Sequence, residues 1–315
     1  MQVIQRFFIF TMAPLFMELN VVVLGSGQAV PTASRNHAGF FLSVDGDGLL
    51  FDCGEGIQRQ LRKSGVHPSK VSRIFLTHWH GDHILGLPGL IQTLSLNSYS
   101  RTLHIHGPRN TRRFLEDMLR VFVPHQRIDI EVHESSDGVV FSNDNYSVSC
   151  LSVKHGVPCL AYSFVLNDKR NILVDKLKKL KISPGPHLRT LKDGKDVVVD
   201  GKKLKFKELT FLKPGKRFSL VLDTAYDKSI SKFVEGSDLL ICESTYSADD
   251  AKTAEEYSHL TSVDAARIAK EAKVKKLVLT HFSQRYENRE HVLLKQAKKV
   301  FKNSFLSEDL DVVRV

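Results

Sequence analysis

No apolar run in this chain of 315 residues reaches the roughly 20 residues that span a bilayer. The N-terminal stretch MQVIQRFFIFTMAPLF is apolar but carries a single basic residue, Arg6, and has no clear small-residue cleavage site, which argues against a signal peptide. MELNVVVLGSG already reads as the opening of a strand, so residues 1–16 are expected to be an extension or a start-site artefact ahead of one domain over 17–315. Cysteine is scarce. Cys53, Cys150, Cys159 and Cys242 lie far apart and form no CxxC pair, which excludes a zinc knuckle and a disulfide framework and makes a reducing cytoplasm the expected compartment. There is no internal repeat of solenoid period. The whole chain is 42% hydrophobic and 25% charged, the balance of a globular protein with ample core.

Positive charge is present in excess, and it is concentrated. Lys169 to Arg217 holds sixteen Lys and Arg against five Asp and Glu, which exceeds the net +10 of the whole chain. A polyanionic partner and a solvated lysine-rich surface both fit this charge taken alone. The same stretch has few large hydrophobes and a Pro-Gly-Pro at 184–186, so it reads as an excursion from the core, over about 167–205.

Either side of it, apolar runs ended by Gly, Asp or His alternate with short helical patterns. NVVVLG, GFFLSV, GLLF, VSRIFLT and RTLHIHG read as strands; IQRQLRKSG and TRRFLEDMLRVF read as helices; and ILGLPGLIQTL reads as one helix with Pro88 in its first turns. YSVSCLSVKHG and LAYSFVL read as a hairpin, RFSLVLDTAYD, DLLICEST and KKLVLTHFSQRY as later strands, and TSVDAARIAKEAK as a helix capped by Thr261 or Ser262. Two sheets with helices outside are expected, with polar residues gathered at one rim.

Those strand-end residues are His78, His80, Asp82, His83, His155, Asp223 and His281. Imidazoles and carboxylates suit zinc, and the absence of any thiolate favours an open catalytic site. In THWHGDHILG, His78 and His80 lie two apart, so in an extended loop their rings point the same way. Gly81 permits a tight turn that aims Asp82 and His83 at a second point. One loop then serves two metal ions, with His155 completing the first group, His281 the second, and Asp223 bridging. Two metals about 3.5–4 Å apart clamp both oxygens of an in-line displacement at phosphorus. His104, His106, His125, His133 and His187 read as satisfied polar residues and receive no role.

HWHGDH after an apolar strand resembles the signature of the metallo-β-lactamase superfamily, with Asp52 of FDCGEG, His155, Asp223 and His281 in the order of its other motifs. That resemblance implies an αβ/βα four-layer sandwich. Further stretches resemble the tRNase Z family: LTHFSQRY at 279–286, SHLT at 258–261, CEST at 242–245 where the family has His-Glu-Ala-Thr, PTASRN at 31–36 with Ala33 in place of a lysine, and ISPGPHLRTLKDG, similar to the family's protruding exosite arm. The resemblance implies a zinc-dependent endoribonuclease that removes the 3′ trailer of precursor tRNA. It implies two Zn2+ per subunit, Mn2+ or another divalent ion being an alternative. Asp52 would support the metal loop. His259, oriented by Glu243, would protonate the leaving 3′ oxygen, and Asp82 would assist as base. Arg35, Asn36, Gly185, Pro186 and Arg285 would meet substrate, and a homodimer would present tRNA from the arm of one subunit to the site of the other. The rival is a small-molecule hydrolase of the same fold, a phosphodiesterase, thioesterase or lactonase, against which the basic segment and the HFSQRY and PTASRN motifs count. A complete ligand set counts against an RNA-binding protein with a dead site.

Overall fold

Burial in YSVSCLSV alternates as its pattern requires: Tyr146, Val148 and Cys150 are buried and the residues between them are not. GFFLSV and LLICE are buried almost throughout, the mark of strands covered on both faces. The computed structural model describes residues 19–122, 128–199 and 201–315, so the expected extension over 1–16, and also His125, lie outside the described residues.

Six strands come first: β1 Asn20–Gly25, β2 Gly39–Val44, β3 Asp47–Phe51, β4 Val71–Phe75, β5 Leu103–Gly107 and β6 Ile130–Glu134. A meander follows, β7 Gly138–Ser142, β8 Tyr146–Val153 and β9 Cys159–Leu166. The basic segment carries β10 Lys169–Ile172, β11 Val197–Val199, β12 Lys202–Leu204 and β13 Thr210–Lys213. The chain then adds β14 Lys216–Val221, β15 Leu239–Glu243, β16 Leu277–Thr280, β17 Ser304–Leu306 and β18 Val312–Arg314. One seven-stranded sheet runs β18-β1-β2-β3-β4-β5-β6, the other β17-β16-β15-β14-β9-β8-β7. In each, one half is antiparallel and the other parallel: β3 to β6 in the first, β14 to β17 in the second.

Between the sheets lies an aromatic core. Phe51 stacks on Phe75 at 5.1 Å and meets Phe218 edge-on at 5.6 Å and Tyr162 at 5.9 Å. Each such side chain, fully buried, contributes about 1.5–3 kcal/mol. Outside the first sheet, Leu50, Ile74 and Ile105 cluster with Leu61, Leu87 and Leu94 of helices Ile57–Lys63 and Leu87–Leu96. Outside the second, Leu240, Cys242 and Leu279 cluster with Ala265, Ile268 and Leu293 of helices Ser262–Glu271 and His291–Val300. The layers are therefore helix, sheet, sheet, helix, as expected. Thr261 caps Ser262–Glu271, and its capping box with Asp264 is complete.

Two details differ from the sequence reading. ILGLPGLIQTL is not one helix. A single turn over Gly81–Ile84 ends before Leu87–Leu96 begins, because the Gly86 N–H turns to the Cys53 carbonyl at 2.9 Å and leaves the helical ladder; a Cβ there would stand 2.1 Å from the Gly54 carbonyl oxygen. Gly81, moreover, is not among the residues with left-handed φ; it opens that short helical turn.

The basic segment folds on itself. β10 pairs with β13, so it leaves and returns along one ribbon and extends beyond the expected end near 205. Inside, Leu177, Leu191, Leu204 and Leu209 form a small separate core with Ile172, Ile182 and Phe206 against it. At its base Lys169 Nζ lies 3.1 Å from Asp45 Oδ2. Among the described residues no helix is long and apolar enough to cross a membrane.

Candidate metal centre

The parallel strands of both sheets end at a common rim, and side chains just past such carboxyl ends are well placed to meet ligands. Asp52 follows β3, Thr77 to His83 follow β4, Asp223 follows β14, Glu243 ends β15 and His281 follows β16. Three of these take left-handed backbone angles, Asp52 at φ 57, Asp223 at φ 40 and His281 at φ 60. Asp and His enter that region more readily than most residues, and each entry costs about 1–3 kcal/mol, a strain typical of functional positions. Gly54 lets the metal loop close in: a Cβ there would stand 2.2 Å from the Asp82 carbonyl oxygen.

The seven expected ligands fall into two groups that share one residue. The potential ligand atoms of His78, His80, His155 and Asp223 all lie within 4.8 Å of one another, as do those of Asp82, His83, Asp223 and His281. His80 Nδ1 is 2.9 Å from His78 Nε2 and 3.2 Å from His155 Nε2. Asp82 Oδ2 is 3.2 Å from His83 Nε2 and 3.4 Å from His281 Nε2. Asp223 reaches both sides: Oδ2 is 3.6 Å from His78 Nε2 and from His83 Nε2, and Oδ1 is 3.2 Å from His281 Nε2. Most of the centre is buried, with His80 exposed and His155 half-buried on its open side.

Outer contacts fix the imidazole tautomers. His83 Nδ1–H donates to Asp52 Oδ2 at 2.7 Å. Asp52 also accepts from the Thr77 backbone N–H at 2.7 Å and from Thr77 Oγ1 at 2.8 Å, and Thr77 Oγ1 accepts in turn from His78 Nδ1–H at 3.0 Å. Across the rim Thr245 repeats the device: its hydroxyl donates to Glu243 Oε2 at 2.6 Å and accepts from His281 Nδ1–H at 3.0 Å. His155 Nδ1–H donates to the Ser258 carbonyl at 3.2 Å. In all four rings the Nε2 lone pair is left aimed inward, the arrangement a metal ligand requires. Asp52 thus has the supporting geometry the sequence suggested. Thr77 and Thr245 escaped that reading, because a single threonine beside a ligand carries no spacing signal.

The electrostatics favour a cation. Burial acts to raise the Asp82 and Asp223 carboxyls, but the surrounding histidines more than offset it and hold both well below the usual range. Burial acts to lower His83, and Asp223, Asp82 and Asp52 override it, so positive charge is favoured there. Two buried atoms, His83 Nε2 and Asp223 Oδ1, have no hydrogen-bond partner. Orphaned donors of this kind, in a set of imidazoles and carboxylates converging on two points, fit a pair of divalent metals.

Next to this centre His259 Nδ1 lies 3.0 Å from Glu243 Oε2. Glu243 is fully buried and also accepts from the Thr224 backbone N–H at 2.6 Å. Burial pulls His259 down, and the Glu243 carboxylate outweighs it, raising the imidazole to about 9. Cys242 points the other way, into the helix-covered core, where burial pushes its thiol up.

The expected substrate residues are differently placed. Arg35 is held internally: its guanidinium meets Glu290 at 2.9 Å, Ser26 Oγ at 2.6 Å and the Ser307 carbonyl at 2.8 Å. Asn36 Nδ2 donates to the Glu55 carbonyl at 2.5 Å. Both border a cleft of about 400 Å³ that also takes in Ala33, Arg59 and Lys63. Arg285 pairs with Asp250 at 3.2 Å and lies over the Tyr246 ring at 5.1 Å. Gly185 and Pro186 lie in the basic insertion, just ahead of helix His187–Lys192.

Residues 19–182 match the family model described as Anti-Pycsar protein Apyc1, a span that holds five of the seven ligands and stops before Asp223. A ribonuclease Z of Prochlorococcus marinus (strain MIT 9301) is 38% identical over 307 residues, covering 92% of this chain and 98% of the relative. A ribonuclease Z of Bacillus cereus (strain G9842) is 37% identical over 302 residues, covering 93% and 98%. Human tRNase Z, short form, superposes with a TM-score of 0.69 at 27% identity, covering 94% of this chain and 99% of that one. YhfI from Bacillus subtilis, a metallo-β-lactamase fold protein, superposes with a TM-score of 0.69 at 22% identity and shares the fold. With its metallo-β-lactamase fold and this level of identity over nearly its whole length, the chain belongs to the ribonuclease Z family.

Proposed function

We propose that this chain is the endoribonuclease that cleaves the 3′ trailer from precursor tRNA, leaving a 3′-hydroxyl on the tRNA and a 5′-phosphate on the trailer. The observation that carries this reading is the convergence of seven side chains into two ligand groups sharing Asp223, in a chain of the ribonuclease Z family. His78, His80 and His155 would hold one Zn2+; Asp82, His83 and His281 would hold the other; Asp223 would serve both, and Mn2+ or another divalent ion is the alternative occupant. Such ions supply Lewis acidity at phosphoryl oxygens and acidify the attacking water.

The chain's own residues do the rest. Asp52, Thr77 and Thr245 keep the imidazole lone pairs facing the centre. Asp82 would assist as base toward the attacking water. His259, charged through Glu243, holds a proton on Nε2 and delivers it to the 3′ oxygen as the P–O3′ bond breaks. The basic insertion grips tRNA phosphates by charge and shape, with Gly185 and Pro186 at its turn. Arg35 and Asn36 keep the PTASRN loop in place at the cleft, and Arg285, beside Asp250 and Tyr246, would meet the substrate. In a homodimer the insertion of one subunit serves the substrate of the other, and the compartment is the cytoplasm.

A substrate competition tests the assignment. Precursor tRNA should be cleaved with a kcat/KM far above that of a small phosphodiester. A preference for the small diester would assign the site to the rival class.

A further inference from the structure

β5 and β6 run parallel, with His104 opposite Glu131 and His106 opposite His133. Residues two apart on a strand share a face, so all four side chains project from one side of the sheet. His104 Nδ1 lies 3.2 Å from His133 Nε2 and 3.3 Å from Glu131 Oε2, and the third edge, His133 Nε2 to Glu131 Oε2, measures 3.8 Å. Ligand atoms bound to tetrahedral zinc at about 2.0–2.1 Å stand roughly 3.3 Å apart. The triangle thus has nearly the dimensions of three corners of a zinc site.

Its setting is suited to metal as well. His106 lies beside the triangle, 2% exposed, and neither of its ring nitrogens has a hydrogen-bond partner. It stacks on Phe75 at 4.7 Å and on His133 at 4.6 Å, which fixes the plane of the His133 ring. Arg73 of β4 lies opposite His104 in the sheet. Glu131 is 60% exposed and His133 is 42% exposed, so the fourth corner faces water.

We propose that His104, Glu131 and His133 form an additional divalent-metal site, for zinc or a similar borderline cation, that fastens the edge strand β6 to β5. The donor set of two imidazoles and one carboxylate with an open corner is one that zinc accepts. β6 is the outermost strand of its sheet, and edge strands are where a cross-link adds most to order. Arg73 works against a second cation here, so this site is weaker than the seven-residue centre.

The test is metal counting on the whole protein, equilibrated with graded Zn2+ and measured by mass spectrometry. His133→Ala and the gentler Glu131→Gln should each bind one equivalent less than the unmodified chain, and graded chelation should remove that equivalent first. Added Zn2+ should raise the melting temperature of the unmodified chain more than that of either variant. Equal metal content in the unmodified chain and in Glu131→Gln, which leaves an exposed surface shape intact, would overturn the proposal. Loss of the more tightly held equivalents in these variants would contradict the separateness of the two sites.

Discussion

His83 Nδ1 and Asp52 Oδ2 stand 2.7 Å apart with both side chains fully buried, and this contact ties the end of β3 to the metal loop after β4. Asp52→Ala would leave His83 free to rotate and able to present either tautomer. Outer partners of this kind are worth about 10–100-fold in metal affinity or activity. The variant is expected to lose metal at lower chelator concentration than the unmodified chain, measured by competition with a chromophoric chelator. An unchanged affinity would mean that packing alone orients His83.

Thr245 joins Glu243 to His281 through one hydroxyl. Thr245→Val keeps the shape and removes the link; Thr245→Ser keeps the link. The valine variant should lose metal occupancy and cleavage together, and the serine variant should retain both. Equal behaviour of the two would assign Thr245 to packing.

His259→Ala removes the proposed proton donor, which is not one of the seven proposed ligands but packs beside His155 and His281. General acids contribute typically ~10²–10⁴-fold, so kcat should fall within that range while KM changes little. A substrate with a more acidic leaving group at the scissile bond should recover much of the loss. Absence of recovery would count against a proton on Nε2.

Neutralising Lys176, Lys178, Lys179 and Lys181, which sit on or just after helix Val174–Lys179, tests the insertion as a phosphate grip. Each lysine that meets a phosphate contributes about 0.7–0.9 to the slope of log affinity against log salt. The variant should show a shallower slope and a higher KM for precursor tRNA, with hydrolysis of a small phosphodiester unchanged. Equal losses on both substrates would make the segment structural. Cutting out only 170–200 would be a poor test, since it removes β10 and strands its partner β13.

The sequence displayed the proposed ligands because four features are local: a compact HxHxDH run after an apolar strand, and an acid or histidine at each of three other strand ends. The four-layer order was legible for the same reason, since both sheets are built from near-continuous apolar runs. The His104–Glu131–His133 triangle was not legible. Its members lie on two strands whose parallel pairing, rather than any spacing in the chain, brings them together. The extent of the basic insertion was hidden by its small core: Leu204 and Leu209 look like stray hydrophobes until β13 is seen to pair with β10. Arg35 reads as a free cation in PTASRN, but Glu290, far along the chain, claims it.

The most direct test follows the ends of the products. End-labelled precursor tRNA is incubated with the metal-loaded protein, with the same protein after chelation, and with Asp82→Ala. The account predicts one cut at the 3′ boundary of the tRNA, a 3′-hydroxyl on the tRNA and a 5′-phosphate on the trailer. It predicts no cut after chelation, recovery on adding Zn2+ back, and no cut by Asp82→Ala even though that variant still binds the RNA. Cleavage that persists in the chelated protein or in Asp82→Ala would contradict it.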